Sequence, residues 1–185
     1  MLRWMLILLG VSMLVLPGCG QETVKREFPS EWYWDDRTSD AKAHAELEGK
    51  PMPPLFLSDW LNGEVKPDQM KGKVILVDLY ATWCGPCISA IPHNNELFRK
   101  YRDKGFLIIG VCTSESGQEK MESSAKEHGM EYPVAKDPEL KTHSAWRVSY
   151  FPTYAVVDRK GVLRAVGLSP DSVEKVIEKL LAEKE

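Results

Sequence analysis

The feature that most constrains the fold is a pair of cysteines, Cys84 and Cys87, at the junction of two patterns. Residues 74–80, just before the pair, are apolar apart from Asp78, which is typical of a central strand covered by helices on both faces. After the pair, apolar residues recur at the spacing of one helix face up to about Arg102. The sequence therefore predicts a strand, a tight turn and a helix, with Cys84 in the first helical turn.

This placement favours redox chemistry at the two cysteines. The unpaired N–H groups and the dipole at a helix N-terminus favour negative charge and lower a thiol pKa from about 8.5 into the range ~3.5–7.5. We predict a reversible dithiol/disulfide, with Cys84 attacking and Cys87 resolving. The alternatives are a structural disulfide or half of a zinc site. A zinc site needs two more ligands, and the other cysteines, Cys19 and Cys112, are isolated, so we predict no metal site.

The pentapeptide Trp83-Cys84-Gly85-Pro86-Cys87 after a hydrophobic strand resembles the thioredoxin active site. The wider pattern, with Gly-Lys-Pro at 49–51, Lys-Gly-Lys at 71–73 before the apolar strand, and Ala-Thr at 81–82, resembles the TlpA/ResA branch. Members of that branch are extracytoplasmic, membrane-tethered thiol–disulfide oxidoreductases. The resemblance covers roughly residues 49–184.

The order of predicted elements is that of a thioredoxin fold, an α/β architecture with a mixed central sheet flanked by helices. The resemblance adds an N-terminal β-hairpin, which we place at residues 55–59 and 64–66 around the Asn-Gly turn at 62–63. The Asp-Pro-Glu-Leu-Lys stretch that begins at Asp137 resembles the insertion that marks the TlpA branch. The remaining predicted elements are helices at 118–128 and 139–146, an extended stretch at 132–135, strands at 153–157 and 162–166, and a last helix from Pro170.

The N-terminus is predicted to be a lipoprotein-type signal peptide over residues 1–18. Arg3 is followed by an apolar run, residues 4–16, that is shorter than the ~20 residues of a membrane span. The sequence Leu-Pro-Gly-Cys that ends at Cys19 resembles a bacterial lipoprotein box, which implies a lipidated Cys19. The alternative is a stray cysteine in a cleaved leader or short anchor.

The domain organisation follows from this leader. Residues 19–48 are predicted to be a tether, and residues 49–185 the thioredoxin-like domain. The aromatic cluster Trp32-Tyr33-Trp34 is expected to cover the domain, with a partner-binding or membrane-interface patch as the alternatives.

Asp78 is a candidate catalytic group because it interrupts an apolar strand six residues before Cys84. Burying a charged carboxylate costs several kcal/mol unless it is paired or protonated, so desolvation is expected to raise its pKa. Such a carboxyl is suited to take a proton from Cys87, and thioredoxin has an aspartate at the matching position. The alternative is an aspartate that points to the surface.

Phe151-Pro152-Thr153 resembles the cis-proline loop of the family, which faces the active-site cysteines. A cis bond there is expected to hold the backbone so that a substrate strand pairs beside the reactive thiol. The alternative is an ordinary trans proline at the start of a strand.

Three residues around the thiols are predicted to support the site. Trp83 forms an apolar wall beside the attacking sulfur, with simple packing as the alternative. Gly85 and Pro86 stiffen the turn, and this dipeptide resembles that of thioredoxin, whose potential is about −270 mV.

The sequence therefore predicts a thiol–disulfide oxidoreductase on the extracytoplasmic side of a membrane, with a reductase as the preferred direction. The resemblance implies substrates such as apocytochrome c or other exported proteins, and an electron donor of the CcdA/DsbD type. The reaction needs no bound cofactor, and a net charge of −3 argues against nucleic-acid binding. The alternatives are a thiol oxidase or isomerase, a copper(I) metallochaperone of thioredoxin fold, and, least favoured, a thiol peroxidase.

Overall fold

The computed structural model describes residues 25–34 and 40–183. The strands in these residues are Ser58–Leu61 (β1), Val74–Tyr80 (β2), Phe106–Cys112 (β3), Val134–Lys136 (β4), Thr153–Val157 (β5) and Leu163–Leu168 (β6). The helices are Asp40–Ala45 (α1), Pro67–Met70 (α2), Gly85–Tyr101 (α3), Met121–Glu127 (α4), Lys141–Ala145 (α5) and Pro170–Ala182 (α6). None of the helices in this described part is long and apolar enough to cross a membrane.

The strands form one mixed sheet in the order β1-β4-β3-β2-β5-β6. Strand β2 runs parallel to β3 and antiparallel to β5, so it occupies the centre of the sheet. Helix α4 and strand β4 are inserted between β3 and α5, and β4 pairs parallel to β3. The predicted mixed α/β sheet flanked by helices is confirmed.

Strand β2 divides the core because its side chains alternate between the two faces of the sheet. Val74, Leu76 and Tyr80 pack in the layer that contains buried residues of α3 and α6. The alternate residues, such as Ile75 and Val77, pack on the opposite layer. Each fully buried Val, Leu or Ile side chain stabilises the fold by about 1.5–3 kcal/mol, so the central strand is firmly fixed.

Helices α3 and α6 present the apolar faces that the sequence predicts. The buried residues of α6 are Ser172, Val173, Val176, Ile177 and Leu180. Two other predicted helices are shorter than expected, because the first begins as a 3-10 turn at Gln118–Lys120 and the second is limited to Lys141–Ala145.

The predicted N-terminal hairpin is wrong. Residues 64–66 form no strand, and Ser58–Leu61 instead pairs antiparallel with β4. Asn62 does occupy a turn, at φ 59°, but its side-chain amide donates to the carbonyls of Met130 and Tyr132. The strand at residues 58–61 thus forms its backbone hydrogen bonds with the open edge of β4, and not with residues 64–66 as the sequence pattern predicts.

The predicted tether is also wrong over the residues that the structure describes, because they pack on the domain. The backbone N–H of Trp34 donates to the carbonyl of Gly167 in β6, and the Tyr33 ring is buried. Strand β6 is a sheet edge, and its free backbone groups need a partner. The expectation that the aromatic cluster covers the domain is confirmed for Tyr33.

The following segment continues this packing. His44 in α1 is fully buried, with Nε2 3.0 Å from the carbonyl oxygen of Arg147. Leu163 in β6 exchanges backbone hydrogen bonds with residues 49 and 50. The folded domain therefore includes residues 25–34 and 40–48, whereas the predicted signal peptide and Cys19 lie outside the described residues.

Candidate active site

Cys84 and Cys87 are joined by a disulfide that spans the first turn of α3. Cys84 is the N-cap residue of the helix, and its Sγ accepts a hydrogen bond of 3.2 Å from the backbone N–H of Cys87. Both cysteines are almost completely buried, whereas Gly85 and Pro86 between them are exposed. The helix end therefore directs an N–H donor at the one sulfur that the sequence predicts to carry charge.

The predicted Trp83 and the loop at residues 151–153 meet beside this disulfide. The Trp83 indole is 61% exposed and lies edge-to-face with the Phe151 ring, with 5.7 Å between the ring centroids. The peptide bond between Phe151 and Pro152 is cis, as predicted. Thr153 begins β5 and is buried, and its hydroxyl donates to the carbonyl of Tyr150. The Trp83 ring is thus both a packing partner and an exposed surface.

A second loop, residues 114–118, touches the active-site turn and was not found from the sequence. The Trp83 indole N–H donates to the carbonyl of Ser116 at 3.1 Å, and the Thr82 hydroxyl donates to the carbonyl of Gly117 at 2.8 Å. Gly117 has φ +90°, and a Cβ there would overlap Thr82 Oγ1. A further approach involves α5, where the His143 ring lies near the cis-proline loop, with 6.2 Å between the centroids of the His143 and Phe151 rings. These approaches between distant loops have no local sequence signal.

Asp78 is buried on the face of β2 that belongs to the layer containing both cysteines. Its Oδ2 accepts hydrogen bonds from the Asn94 amide at 3.0 Å and from the Tyr132 hydroxyl at 3.3 Å. Burial raises the pKa of Asp78 to about 7, although these two hydrogen bonds oppose the rise. The predicted direction of the shift is confirmed, and the surface-pointing alternative is wrong.

Cys112, the other cysteine within the described residues, ends β3 as a buried free thiol. Burial raises the pKa of Cys112 to about 12, so this thiol is protonated at neutral pH. The prediction that it is a small core residue fits this placement.

The chain is similar in sequence and fold to known proteins. A thiol-disulfide oxidoreductase ResA of Bacillus cereus is 29% identical over 135 residues, which cover 73% of this chain and 70% of that protein. Protein DipZ of Mycobacterium bovis is 34% identical over 136 residues, covering 69% of this chain and 20% of that protein. The solution structure of a thioredoxin-like protein in the oxidized form matches with 34% identity and a TM-score of 0.64, covering 74% of this chain and 97% of that one.

These similarities confirm the predicted thioredoxin fold and the likeness to ResA-type oxidoreductases. The relatives differ in length from this chain, which spans 65% of ResA from Bacillus anthracis, for example. The match to a family model extends over nearly the whole described domain, from residue 47 to residue 181, and the family is Redoxin. The chain is therefore a member of the Redoxin family.

Proposed function

We propose that this chain, a thiol–disulfide oxidoreductase, works as a reductase of disulfides in exported proteins. The observation that carries the proposal is the Cys84–Cys87 disulfide across the first turn of α3, with the Cys87 N–H directed at Cys84 Sγ. When the pair is reduced, that N–H and the helix dipole stabilise a thiolate on Cys84.

The proposed reaction is a two-step exchange. The Cys84 thiolate attacks one sulfur of a substrate disulfide, which breaks the substrate S–S bond and forms a mixed disulfide. The Cys87 thiol then loses its proton, attacks Cys84 Sγ and releases the second substrate sulfur as a thiolate. The substrate gains two electrons, and the protein ends with the Cys84–Cys87 disulfide that the structure contains.

Asp78 is the proposed acceptor of the Cys87 proton. A general base works best when its pKa is near the operating pH, and burial raises the pKa of Asp78 to about 7. Its position on the cysteine-containing layer of the core supports this role.

The proposed substrate site is the backbone of Phe151, Pro152 and Thr153 together with the exposed face of Trp83. A substrate segment lying along this loop would place its disulfide next to Cys84, with main-chain hydrogen bonds as the source of affinity. The exposure of the Trp83 ring supports a contact with an apolar part of that segment.

The proposed cellular setting is the extracytoplasmic face of a membrane. A leader over residues 1–18 and a lipidated Cys19 would anchor the domain, and a membrane protein of the CcdA/DsbD type would supply electrons. Apocytochrome c or general redox homeostasis of exported proteins is the proposed target. Replacing Cys19 by Ala should release the protein from the membrane fraction, and continued membrane association would contradict the lipid anchor.

The decisive experiment compares single cysteine variants in an insulin-reduction assay coupled to dithiothreitol. Cys84→Ser should abolish activity, whereas Cys112→Ser, the matched control within the same core, should keep it. Cys87→Ser should accumulate mixed disulfides, and mass spectrometry of those adducts would identify the substrate. Activity retained by Cys84→Ser would refute the assignment of the nucleophile.

The direction of electron flow is tested by the reduction potential of the Cys84–Cys87 pair. The dipeptide Gly85-Pro86 resembles that of thioredoxin, so we expect a reduction potential of about −270 mV. A value near that of DsbA, about −120 mV, would exclude the reductase role and favour an oxidase.

A further inference from the structure

The space around Asp78 is shaped by its two neighbours in the sheet. Asp78 pairs with Gly110 of β3 on one side and with Tyr154 of β5 on the other. Gly110 leaves room for the Tyr132 ring, because a Cβ at Gly110 would lie 3.1 Å from Tyr132 Cε2. The Tyr132 hydroxyl, which comes from the segment before β4, reaches the carboxylate across this gap.

Asn94 completes the enclosure from α3. It follows Cys87 by seven residues, or two helical turns, and therefore lies on the same helix face. Its side chain is 1% exposed. The amide nitrogen lies 3.0 Å from Asp78 Oδ2 and 3.2 Å from the Tyr154 hydroxyl oxygen, so each of its two N–H groups has an acceptor.

The two carboxylate oxygens of Asp78 are consequently unequal. Both donors, from Asn94 and Tyr132, end on Oδ2. Oδ1 is buried and has no hydrogen-bond partner within residues 25–34 and 40–183. A proton on Oδ2 would compete with two existing donors, whereas a proton on Oδ1 displaces none.

We propose that Asn94 and Tyr132 are positioning residues that hold Oδ2 of Asp78 and leave Oδ1 as the oxygen that exchanges a proton with Cys87. This inference rests on the proposed function. In the step concerned, the S–H bond of Cys87 breaks, an O–H bond forms at Oδ1, and the electron pair stays on sulfur as the thiolate. No electrons are transferred until that thiolate attacks Cys84.

The other titratable groups around Asp78 do not compete for this role near neutrality. The phenols of Tyr80, Tyr132 and Tyr154 face it, and burial raises the pKa of each above its ordinary value. On the same core layer, the buried residues of α6 carry no ionisable side chain. The cysteines of α3 do not titrate while they form the disulfide.

The test uses the oxidised full-length protein, in which Cys84 and Cys87 do not titrate. The Asp78 carboxyl is followed by NMR with carboxyl-¹³C-labelled aspartate over pH 4–10. Tyr132→Phe and Asn94→Leu each remove one donor to the charged form, so each should raise the pKa of Asp78 by about 1, a tenfold change in its acid dissociation constant. Tyr101→Phe is the matched control, since it removes a phenol hydroxyl bonded to Glu174 and Glu178, and it should leave the Asp78 titration unchanged.

Two further variants distinguish positioning from general loosening of the core. Gly110→Ala keeps every hydroxyl and adds a Cβ 3.1 Å from both Tyr132 Cε2 and Val134 Cγ2, so a shift of the Tyr132 ring away from Asp78 should raise the pKa of Asp78 as Tyr132→Phe does. Tyr154→Phe removes a hydroxyl that is hydrogen-bonded to Asn94 and not to Asp78, so it should shift the Asp78 titration less. In the reduced protein, the pH profile for release of the mixed disulfide should move to higher pH by the same amount as the NMR titration.

The inference is overturned if Tyr132→Phe and Asn94→Leu both leave the Asp78 titration where it is, or lower it. This readout needs no turnover, so it is separate from the proposed function. Loss of the reductase assignment through the cysteine variants would leave the NMR result standing, whereas an unshifted titration would refute the positioning role even in an active enzyme.

Discussion

Two buried aspartates in this molecule differ in how their oxygens are used. Asp137, which directly follows β4, is completely buried and accepts three hydrogen bonds, one on Oδ1 from the Thr142 N–H and two on Oδ2 from the His143 N–H and the Thr113 hydroxyl. Asp78 is buried to nearly the same degree, yet both of its donors end on one oxygen. Two similarly buried carboxylates therefore differ in their hydrogen bonding, and of the two only Asp78 has an oxygen without a hydrogen-bond partner among the described residues.

The origin of the donors explains the difference. Asp137 binds the first backbone N–H groups of α5, whose N-cap residue, Leu140, has no capping side chain. Backbone donors at a helix end cannot rotate away and favour a negative charge. Asp78 binds side chains from α3 and from the segment before β4, and its second oxygen faces no donor within the part of the chain that the structure describes. The carboxylate of Asp137 thus has donors on both oxygens, two of them from the backbone, whereas that of Asp78 has side-chain donors on one oxygen only.

The sharpest test of this comparison is the same substitution at both sites. Asp137→Asn should destabilise the protein by about 3–5 kcal/mol, because either orientation of the new amide places its NH₂ group against buried N–H or hydroxyl donors. Urea unfolding at pH 7 measures this loss. An unfolding free energy equal to that of the wild type would show that the three hydrogen bonds at Asp137 add nothing.

Asp78→Asn should have the opposite sign at high pH. The folded pKa of about 7 lies above the ordinary value of 3.8, so the folded state binds more protons between these values and loses stability as the pH rises through them. The full effect of that shift is about 4 kcal/mol, and the unpartnered amide of Asn offsets part of it. We expect a gain of about 2 kcal/mol at pH 9 and, because the cost of the amide remains when the carboxyl is protonated, a loss of about 2 kcal/mol at pH 4.

The measurement is chemical unfolding of both proteins at pH 4, 7 and 9. The wild type should lose stability from pH 4 to pH 9 relative to Asp78→Asn, and the variant should also reduce insulin more slowly. A difference in unfolding free energy that is constant across the three pH values would contradict the raised pKa of Asp78.

The sequence predicted much of this site because its main signals are local. The cysteine spacing, the strand before it and the charge of Asp78 within an apolar run all lie in 14 consecutive residues, 74–87. Asn94 had a local signal as well, since it is a polar residue at a position between Ile91 and Leu97 where the buried face of the helix continues. That signal was not used in the prediction.

The role of Asp137 had no comparable signal. Its position before Pro138 marks the start of a helical pattern, but one of its hydrogen bonds comes from Thr113, 24 residues away in sequence. The incorrect hairpin and tether have the same cause. An exposed sheet edge has free backbone groups that can pair with a segment distant in sequence. No local pattern therefore shows that β1 covers β4, or that residues 25–34 and 40–48 cover β6.

The smallest expected effect concerns one donor of the fully bonded aspartate. Thr113→Val keeps the side-chain shape and removes the 2.7 Å hydrogen bond to Asp137 Oδ2, and Oδ2 still accepts from the His143 N–H. The loss should be about 1–2 kcal/mol, because Asp137 keeps its two backbone donors, the N–H groups of Thr142 and His143. A loss as large as that of Asp137→Asn would mean that the hydroxyl, and not the end of α5, holds this carboxylate. In that case the contrast with Asp78 would rest on the number of side-chain donors and not on their origin in the backbone.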